Sequence, residues 1–417
     1  MSPESIGSDQ LEEICPACST SSVTDWISFN RTPRSCQKLH STQAQALQSN
    51  NLVDLQLRLC GNCGLVWNGS WSGTDLEAHY DSDYQSTISG SRKGRRHQIE
   101  IAKALDRLVG LRGKTVLEIG CGDGFFLSEL NRCGARTIGF EPSSMYGVAN
   151  GRPDIEVVND FFPFDGNSAQ EEPVNVIVLR HVLEHLPKPS EALGALASMQ
   201  FAGKNAEYLF IEVPNASELI ARNLYFDFYF DHIYYFTSGS LTRMLLEAGW
   251  NAAKELDLPK EFLGWLCCNR LSPDHRVSFE ASADDREGFV ASAEQFARSY
   301  SRWKGTLNAL LDRIRESGNR IAAWGAGGRG VSLLNCVGTQ RLSYVVDVDS
   351  NKHGRYIPGL GVPVRPPSDL RSDPVDYVLV TSFTFFQEIV EQLSWFRDNG
   401  GRIITAYPMP AVLEEAR

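Results

Sequence analysis

Apolar runs of four or five residues recur along the chain, each followed by a stretch with helical spacing. From about residue 72 to 260 they include Thr115-Val116-Leu117-Glu118-Ile119, Thr137-Ile138-Gly139-Phe140, Asn175-Val176-Ile177-Val178-Leu179 and Tyr208-Leu209-Phe210-Ile211-Glu212. Strands of this kind alternating with helices build a parallel α/β sheet. From about 282 to 318 proline is absent, and Phe296, Tyr300, Trp303, Leu307, Leu311 and Ile314 fall three or four residues apart. That spacing predicts one long helix, or a helical pair, bridging two lobes. The strand–helix alternation then resumes with Arg320-Ile321-Ala322-Ala323-Trp324, Leu342-Ser343-Tyr344-Val345-Val346, Tyr377-Val378-Leu379-Val380 and Arg402-Ile403-Ile404. The expected class is α/β, with a small module over 1–71 and a doubly wound sheet over 72–281. A helical connector over 282–318 leads to a second, Rossmann-like domain over 319–417.

A chain of 417 residues is too long for a single core and suits this division. The net charge is −11, and the one basic cluster, Arg92-Lys93-Gly94-Arg95-Arg96, is short. Clamping of nucleic acid is therefore not expected. No apolar run reaches 18 residues, and the polar, acidic start lacks a secretory pattern. The expectation is a cytoplasmic protein with no membrane partner, either monomer or homodimer. Thiols stay reduced in that compartment, so the ten cysteines read as ligands, packing residues or catalytic groups.

Four of them have metal spacing. Cys15-Pro-Ala-Cys18 and Cys60-Gly-Asn-Cys63 form two C-x2-C knuckles with 41 residues between them. Each knuckle points two thiolates at one place, and two knuckles complete a tetrahedral S4 site suited to a structural Zn2+. Gly61 and Gly64 permit tight turns that aim backbone N–H groups at sulfur. Cys36 is a weaker, substitute ligand. Four unrelated buried cysteines, or a redox pair, are the plainer readings.

The most informative segment is Val116-Leu117-Glu118-Ile119-Gly120-Cys121-Gly122-Asp123-Gly124. A strand runs into three alternating glycines, and a helical pattern follows. The backbone can there pass close to a ligand beside a helix N-terminus. The spacing differs from the dinucleotide G-x-G-x-x-G and resembles motif I of class I S-adenosylmethionine (SAM) methyltransferases. Glu141 ends the next strand, where an acid can bond both ribose hydroxyls. Asp160 and the string His181-Val182-Leu183-Glu184-His185 follow in order. The resemblance implies that Asp160 accepts from the adenine amino group and that His181 lines the methionine end. A nucleotide fold for another ligand, and a zinc-protease reading of H-x-x-E-H, are the competitors.

The segment 225–236 is dense in aromatics and follows the fifth strand, at the sheet edge where ligands bind. Within it His232 suits proton abstraction, Asp231 lies beside it, and Tyr229 could donate to an oxyanion. An aromatic packing strip is the bland alternative.

Nearly end to end, the chain resembles the SAM-dependent sugar C-methyltransferases of deoxysugar biosynthesis. The similar parts are the cysteine module, the stretch 83–91, the Tyr-x-acid-His of 229–232 with Tyr235-Phe236-Thr237-Ser238, and the C-terminal strings around 324–330, 345–349 and 354–359. The resemblance implies enolate chemistry on a carbon next to the ketone of a nucleotide-linked keto sugar. His232 would be the base or enolate stabiliser, oriented by Asp231. Tyr229 and Tyr84 would relay protons, and His185 would be a further site histidine. Asp231 stands where Glu is more usual, and Tyr84 is alone where two or three tyrosines often occur. An O- or N-methyltransferase of another small metabolite is the alternative. The loop Gly325-Ala326-Gly327-Gly328-Arg329-Gly330 could be a nucleotide site, or a degenerate one that clamps substrate.

Overall fold

The computed structural model describes residues 14–71, 92–164, 172–271, 286–338 and 341–413. An N-terminal hairpin pairs β1 (Val23–Pro33) with β2 (Leu52–Cys60), and β3 (Val66–Asn68) pairs with β2. Helix Gln43–Ala46 begins with a capping box in which Thr42 and Gln45 satisfy each other's amides.

The central domain opens with the helix Arg92–Val109, where the basic cluster becomes the first turns of a surface helix. Its strands are β4 (Thr115–Ile119), β5 (Arg136–Phe140), β6 (Glu156–Val158) and β7 (Val176–Arg180). A small hairpin, β8 (Gln200–Phe201) with β9 (Lys204–Asn205), precedes β10 (Tyr208–Pro214). β11 (Tyr234–Tyr235) leaves the central sheet and pairs with β3, which makes it the fourth strand of the N-terminal sheet. The module expected over 1–71 is thus closed by a strand from the middle of the chain. β12 (Trp250–Glu255) and β13 (Phe262–Asn269) complete a seven-stranded sheet of order β12-β13-β10-β7-β4-β5-β6. β13 runs antiparallel to both neighbours; β10, β7, β4, β5 and β6 are mutually parallel. β7 is buried at every position, the pattern of a strand covered on both faces.

A single 31-residue helix, Arg286–Glu316, carries the expected apolar stripe. Phe296, Trp303, Leu307 and Leu311 on it are buried. The last sheet contains β14 (Ile321–Trp324), β15 (Tyr344–Val346), β16 (Val364–Arg365), β17 (Tyr377–Val380), β18 (Arg402–Thr405) and β19 (Ala411–Val412). Its order is β16-β15-β14-β17-β18-β19, parallel except for β19. This is the second doubly wound sheet that the alternation predicted.

The units share one core. β1 and β2, the segment 224–235, the long helix and one face of the last sheet pack into a single apolar cluster. Backbone contacts tie the module to the last domain: the Gly359 amide donates to Ala46 O at 2.7 Å, and His40 bridges Tyr356. Trp303 is the keystone of the long helix. It is 1% exposed, lies 4.9 Å from the Tyr225 ring, and donates its indole N–H to Ala406 O at 2.8 Å. Trp303→Ala should therefore lower stability by about 3–5 kcal/mol, read as a lower urea midpoint. A shift below about 1 kcal/mol would mean the helix does not join the lobes' cores.

Candidate active site

β4 lies between β5 and β7, so the sheet reverses its winding there and a crevice opens beyond its carboxyl end. The glycine turn occupies this edge. Gly120, Gly122 and Gly124 have φ of 73°, 56° and 71°. A Cβ on Gly120 would lie 2.6 Å from Val182 Cγ2, and one on Gly124 2.4 Å from Ile155 Cδ1. Gly122 instead faces open space, with nothing within 4 Å of that point. Its amide donates to Glu141 Oε2 at 2.7 Å, while the Ser143 amide donates to Oε1 at 2.9 Å. Each Glu141 oxygen retains a lone pair for a further donor.

Beneath the turn lies a buried ionic set. Arg180 Nε lies 2.7 Å from Glu212 Oε2, His97 bonds Glu212 Oε1, and Arg180 Nη1 is 4.0 Å from Glu118. Burial pushes Glu212 up, but Arg180, His181 and His97 outweigh it and hold the carboxylate below its usual range. Glu118 is pushed up to about 8 by burial, which Arg180 only partly offsets. Its Oε2 has no hydrogen-bond partner. His181 sits at the end of β7 with φ 55°, its Nε2 3.8 Å from Glu212 and its Nδ1 3.6 Å from Glu184. Asp160, just past β6, is exposed and accepts from the Phe161 amide at 2.8 Å. The string 181–185 forms only a 3-10 turn at Leu183–His185, so its two imidazoles do not share a helical face as a protease motif on a helix would place them.

The aromatic segment crosses the same edge from the other side. Asn68 fixes it: its side-chain amide donates to Phe230 O at 2.9 Å, and its backbone amide to Ile233 O at 2.8 Å. The Ile233 amide then donates to Glu184 O at 2.8 Å. This brings His232 edge-on to His185, with ring centres 4.6 Å apart, and to Tyr229 at 4.8 Å. His185 Nδ1 donates to the backbone carbonyl of Asp231 at 2.7 Å. Burial drives His232 well below the ordinary imidazole range, and His185, His181 and Arg329 add to this. Tyr229 is held well above the usual phenol range by burial and by the Asp227 carboxylate, to which its O–H donates.

Asp227 and Arg329 were not legible beforehand. Arg329 Nε lies 2.7 and 2.9 Å from the two Asp227 oxygens, across 102 residues of sequence. Its Nη1 lies 2.5 Å from Thr384 Oγ1 and 3.5 Å from Glu261. Thus the glycine loop of the last domain delivers a guanidinium to the group that holds Tyr229. The structure brings together Glu118, the three glycines and Glu141 on one side, and His185, Tyr229, Asp231 and His232 on the other. Tyr84 lies outside the described residues.

The four module cysteines also converge. Cys15 Sγ is 3.6 Å from Cys63 Sγ, and Cys18 Sγ is 3.6 Å from Cys60 Sγ. Tetrahedral Zn–S bonds of about 2.3 Å put sulfurs about 3.8 Å apart, so the cluster is compatible with that ion. The amides that reach sulfur belong to Asn62 and Cys63, both to Cys60 Sγ, rather than to the glycines; Gly64 supplies a φ of 73°. Cys36 lies elsewhere, in the core shared with the last domain.

A family described as a methyltransferase domain matches residues 94–255, and one described as the C-methyltransferase C-terminal domain matches 271–408. C-methyltransferase NovU of Streptomyces niveus is 25% identical over 96% of this chain and 96% of its own. The chain is a SAM-dependent methyltransferase that is similar to a C-methyltransferase along nearly its whole length. Ubiquinone biosynthesis O-methyltransferase of Yersinia pestis (strain Pestoides F) is 25% identical over 39% of this chain, which spans 63% of that relative. A SAM-dependent methyltransferase structure from Aquifex aeolicus superposes with a TM-score of 0.33 at 18% identity, over 44% of this chain and 98% of that one.

The residues present at the crevice fit SAM. Gly122 leaves a cradle that a Cβ would fill, Glu141 offers acceptors for a pair of hydroxyls, and the orphaned Glu118 oxygen can take a donor. Two measurements bear on these centres. Cys60→Ser should lose metal from the purified protein by elemental analysis and lower its melting temperature; equal metal content in wild type and variant would contradict a cysteine-held ion. Glu118 keeps its proton to about pH 8 when folded, against an ordinary value of 4.5. The native state therefore binds more protons than the unfolded one between these values, and stability falls as pH rises through them. Glu118→Gln should flatten that slope in melting curves from about pH 5 to 8; an unchanged slope would remove Glu118 as its source.

Proposed function

We propose that this enzyme is a C-methyltransferase that methylates the carbon next to the ketone of a nucleotide-linked keto-deoxysugar through an enolate. The reading rests on one observation: His232 packs between His185 and Tyr229 at the carboxyl edge of the SAM sheet. Bound SAM supplies an electrophilic methyl group. Transfer to carbon needs a nucleophile made by removing a proton, whereas transfer to oxygen or nitrogen needs less. The depressed basicity of His232 keeps its imidazole neutral near pH 7, ready to accept a proton or hydrogen-bond the acceptor. Tyr229 keeps its phenol proton and, with Asp227, provides a donor on the same side. His185, anchored through its Nδ1–H, backs His232, and the apolar rings of Phe228, Phe230 and Tyr235 exclude water. Tyr84, Glu141, Asp160 and His181 keep the roles that the family resemblance implies, and the Cys15, Cys18, Cys60 and Cys63 cluster holds a structural Zn2+.

The last domain supports a substrate-holding role better than a dinucleotide site. A Cβ on Gly330 would lie 2.2 Å from Gly325 O, so this glycine answers to close strand–helix packing. Asp347, the acid at the next strand tip, already accepts from the Ala326 amide at 2.7 Å and from Lys352 at 3.3 Å.

His232→Ala should abolish turnover of a nucleotide keto-sugar while the SAM dissociation constant stays within about threefold. In wild type the acid limb of kcat should lie below pH 6.5, because a lowered imidazole stays unprotonated to lower pH. NMR of the product made with labelled SAM should show the new methyl on carbon. A methyl on oxygen or nitrogen, or full activity of the variant, would overturn the reading.

A further inference from the structure

One buried group near the crevice is left unexplained by that reaction. Glu184 is 0% exposed, and neither carboxylate oxygen has a hydrogen-bond partner. Its ion-pair contact among the described residues is His181 Nδ1, at 3.6 Å. A buried carboxylate so placed calls for a cation. Two imidazoles converge on it: Glu184, His185 and His232 each bring a ligand atom to within 4.8 Å of the others. The rest of the arrangement is what a metal ligand requires. A backbone carbonyl only accepts, so His185 Nδ1 must carry the proton it gives to Asp231 O, which puts the lone pair on Nε2. Ligating histidines are oriented by such a bond from their second nitrogen. Glu184 and the residue after His232 are further tied by the Ile233 amide donating to Glu184 O at 2.8 Å, which locks the turn to the aromatic segment.

We propose that Glu184, His185 and His232 bind a divalent first-row transition-metal cation at the acceptor's carbonyl oxygen. Two nitrogens and one carboxylate oxygen form a borderline donor set that leaves positions open for water or substrate. The cysteine centre, by contrast, is soft and closed. Only the cation's task rests on the methyl-transfer reading; the site itself does not. In that task the ion polarises the ketone and takes up the negative charge of the enolate oxygen. His232 then serves the enolate through the ion. The C–H electron pair stays on the substrate, and its proton moves to the Tyr229 oxygen as the Tyr229 proton passes to Asp227.

The test is a Mn2+ titration of the full-length, zinc-loaded protein followed by electron paramagnetic resonance, since Mn2+ prefers oxygen and nitrogen to thiolate. The expected result is a saturable site that Co2+ displaces and that weakens at least tenfold in Glu184→Gln and in His185→Asn. Melting temperature and SAM affinity identify the variants that fold; His232→Gln, at a less buried position, serves if neither does. Absence of saturable Mn2+ or Co2+ binding outside the cysteine centre, or equal binding in wild type and folded variants, overturns the proposal. Deuterium exchange at the acceptor's α carbon, run with demethylated SAM, separates it from the reaction. Exchange that persists at full rate after chelation sinks the cation and spares the enolate. Bound Mn2+ without exchange keeps the site and sinks the enolate.

Discussion

Burial of the aromatic segment 225–236 is the constraint on which the rest depends. Tyr225, Phe226, Phe228 and Tyr235 are each at most 2% exposed and pack against Trp26, Phe29, Phe296, Tyr300 and Trp303. No single unit could bury so many rings. The N-terminal sheet, the long helix and the last domain each cover one side, and β3 supplies a strand partner for β11. Hydrophobic burial at this junction is thus what carries His232 to the carboxyl edge of the central sheet.

Charge is then arranged around an apolar frame. The Arg180–Glu212–His97 set is buried and the Arg329–Asp227–Tyr229 set half-buried around a buried Asp227, so each buried charge is met by an opposite one or by a donor. The first set sits under the glycine turn. The second connects the last domain to Tyr229 and the aromatic segment. A domain whose own glycine loop is occupied internally therefore still reaches the aromatic segment, through one guanidinium.

The parts of the site that could be read beforehand are those with a local physical cause. The glycine turn was visible because positive φ favours glycine at fixed spacing: all three have it, and Gly120 and Gly124 are closely approached as well. The cysteine knuckles were visible because a tetrahedral ion fixes the spacing within each pair. The tight turn there aims the amides of Asn62 and Cys63 at Cys60 Sγ; any residue can present an amide, so sequence could not say which two would do so. Asp231 carried the expected place beside His232, yet its described bond is a backbone one, from His185 to its carbonyl, which no side-chain identity announces.

Sequence by itself determined the two doubly wound sheets, the long helix, the glycine turn and the cysteine pairs, because period, turn geometry and ligand spacing act over a few residues. Tertiary structure alone decided that β11 would close the N-terminal sheet, that Arg329 would meet Asp227, and that Glu184 would be sealed beside two imidazoles. Those pairings join positions far apart in the chain, and what selects them is the packing of whole elements around a shared core rather than any local preference.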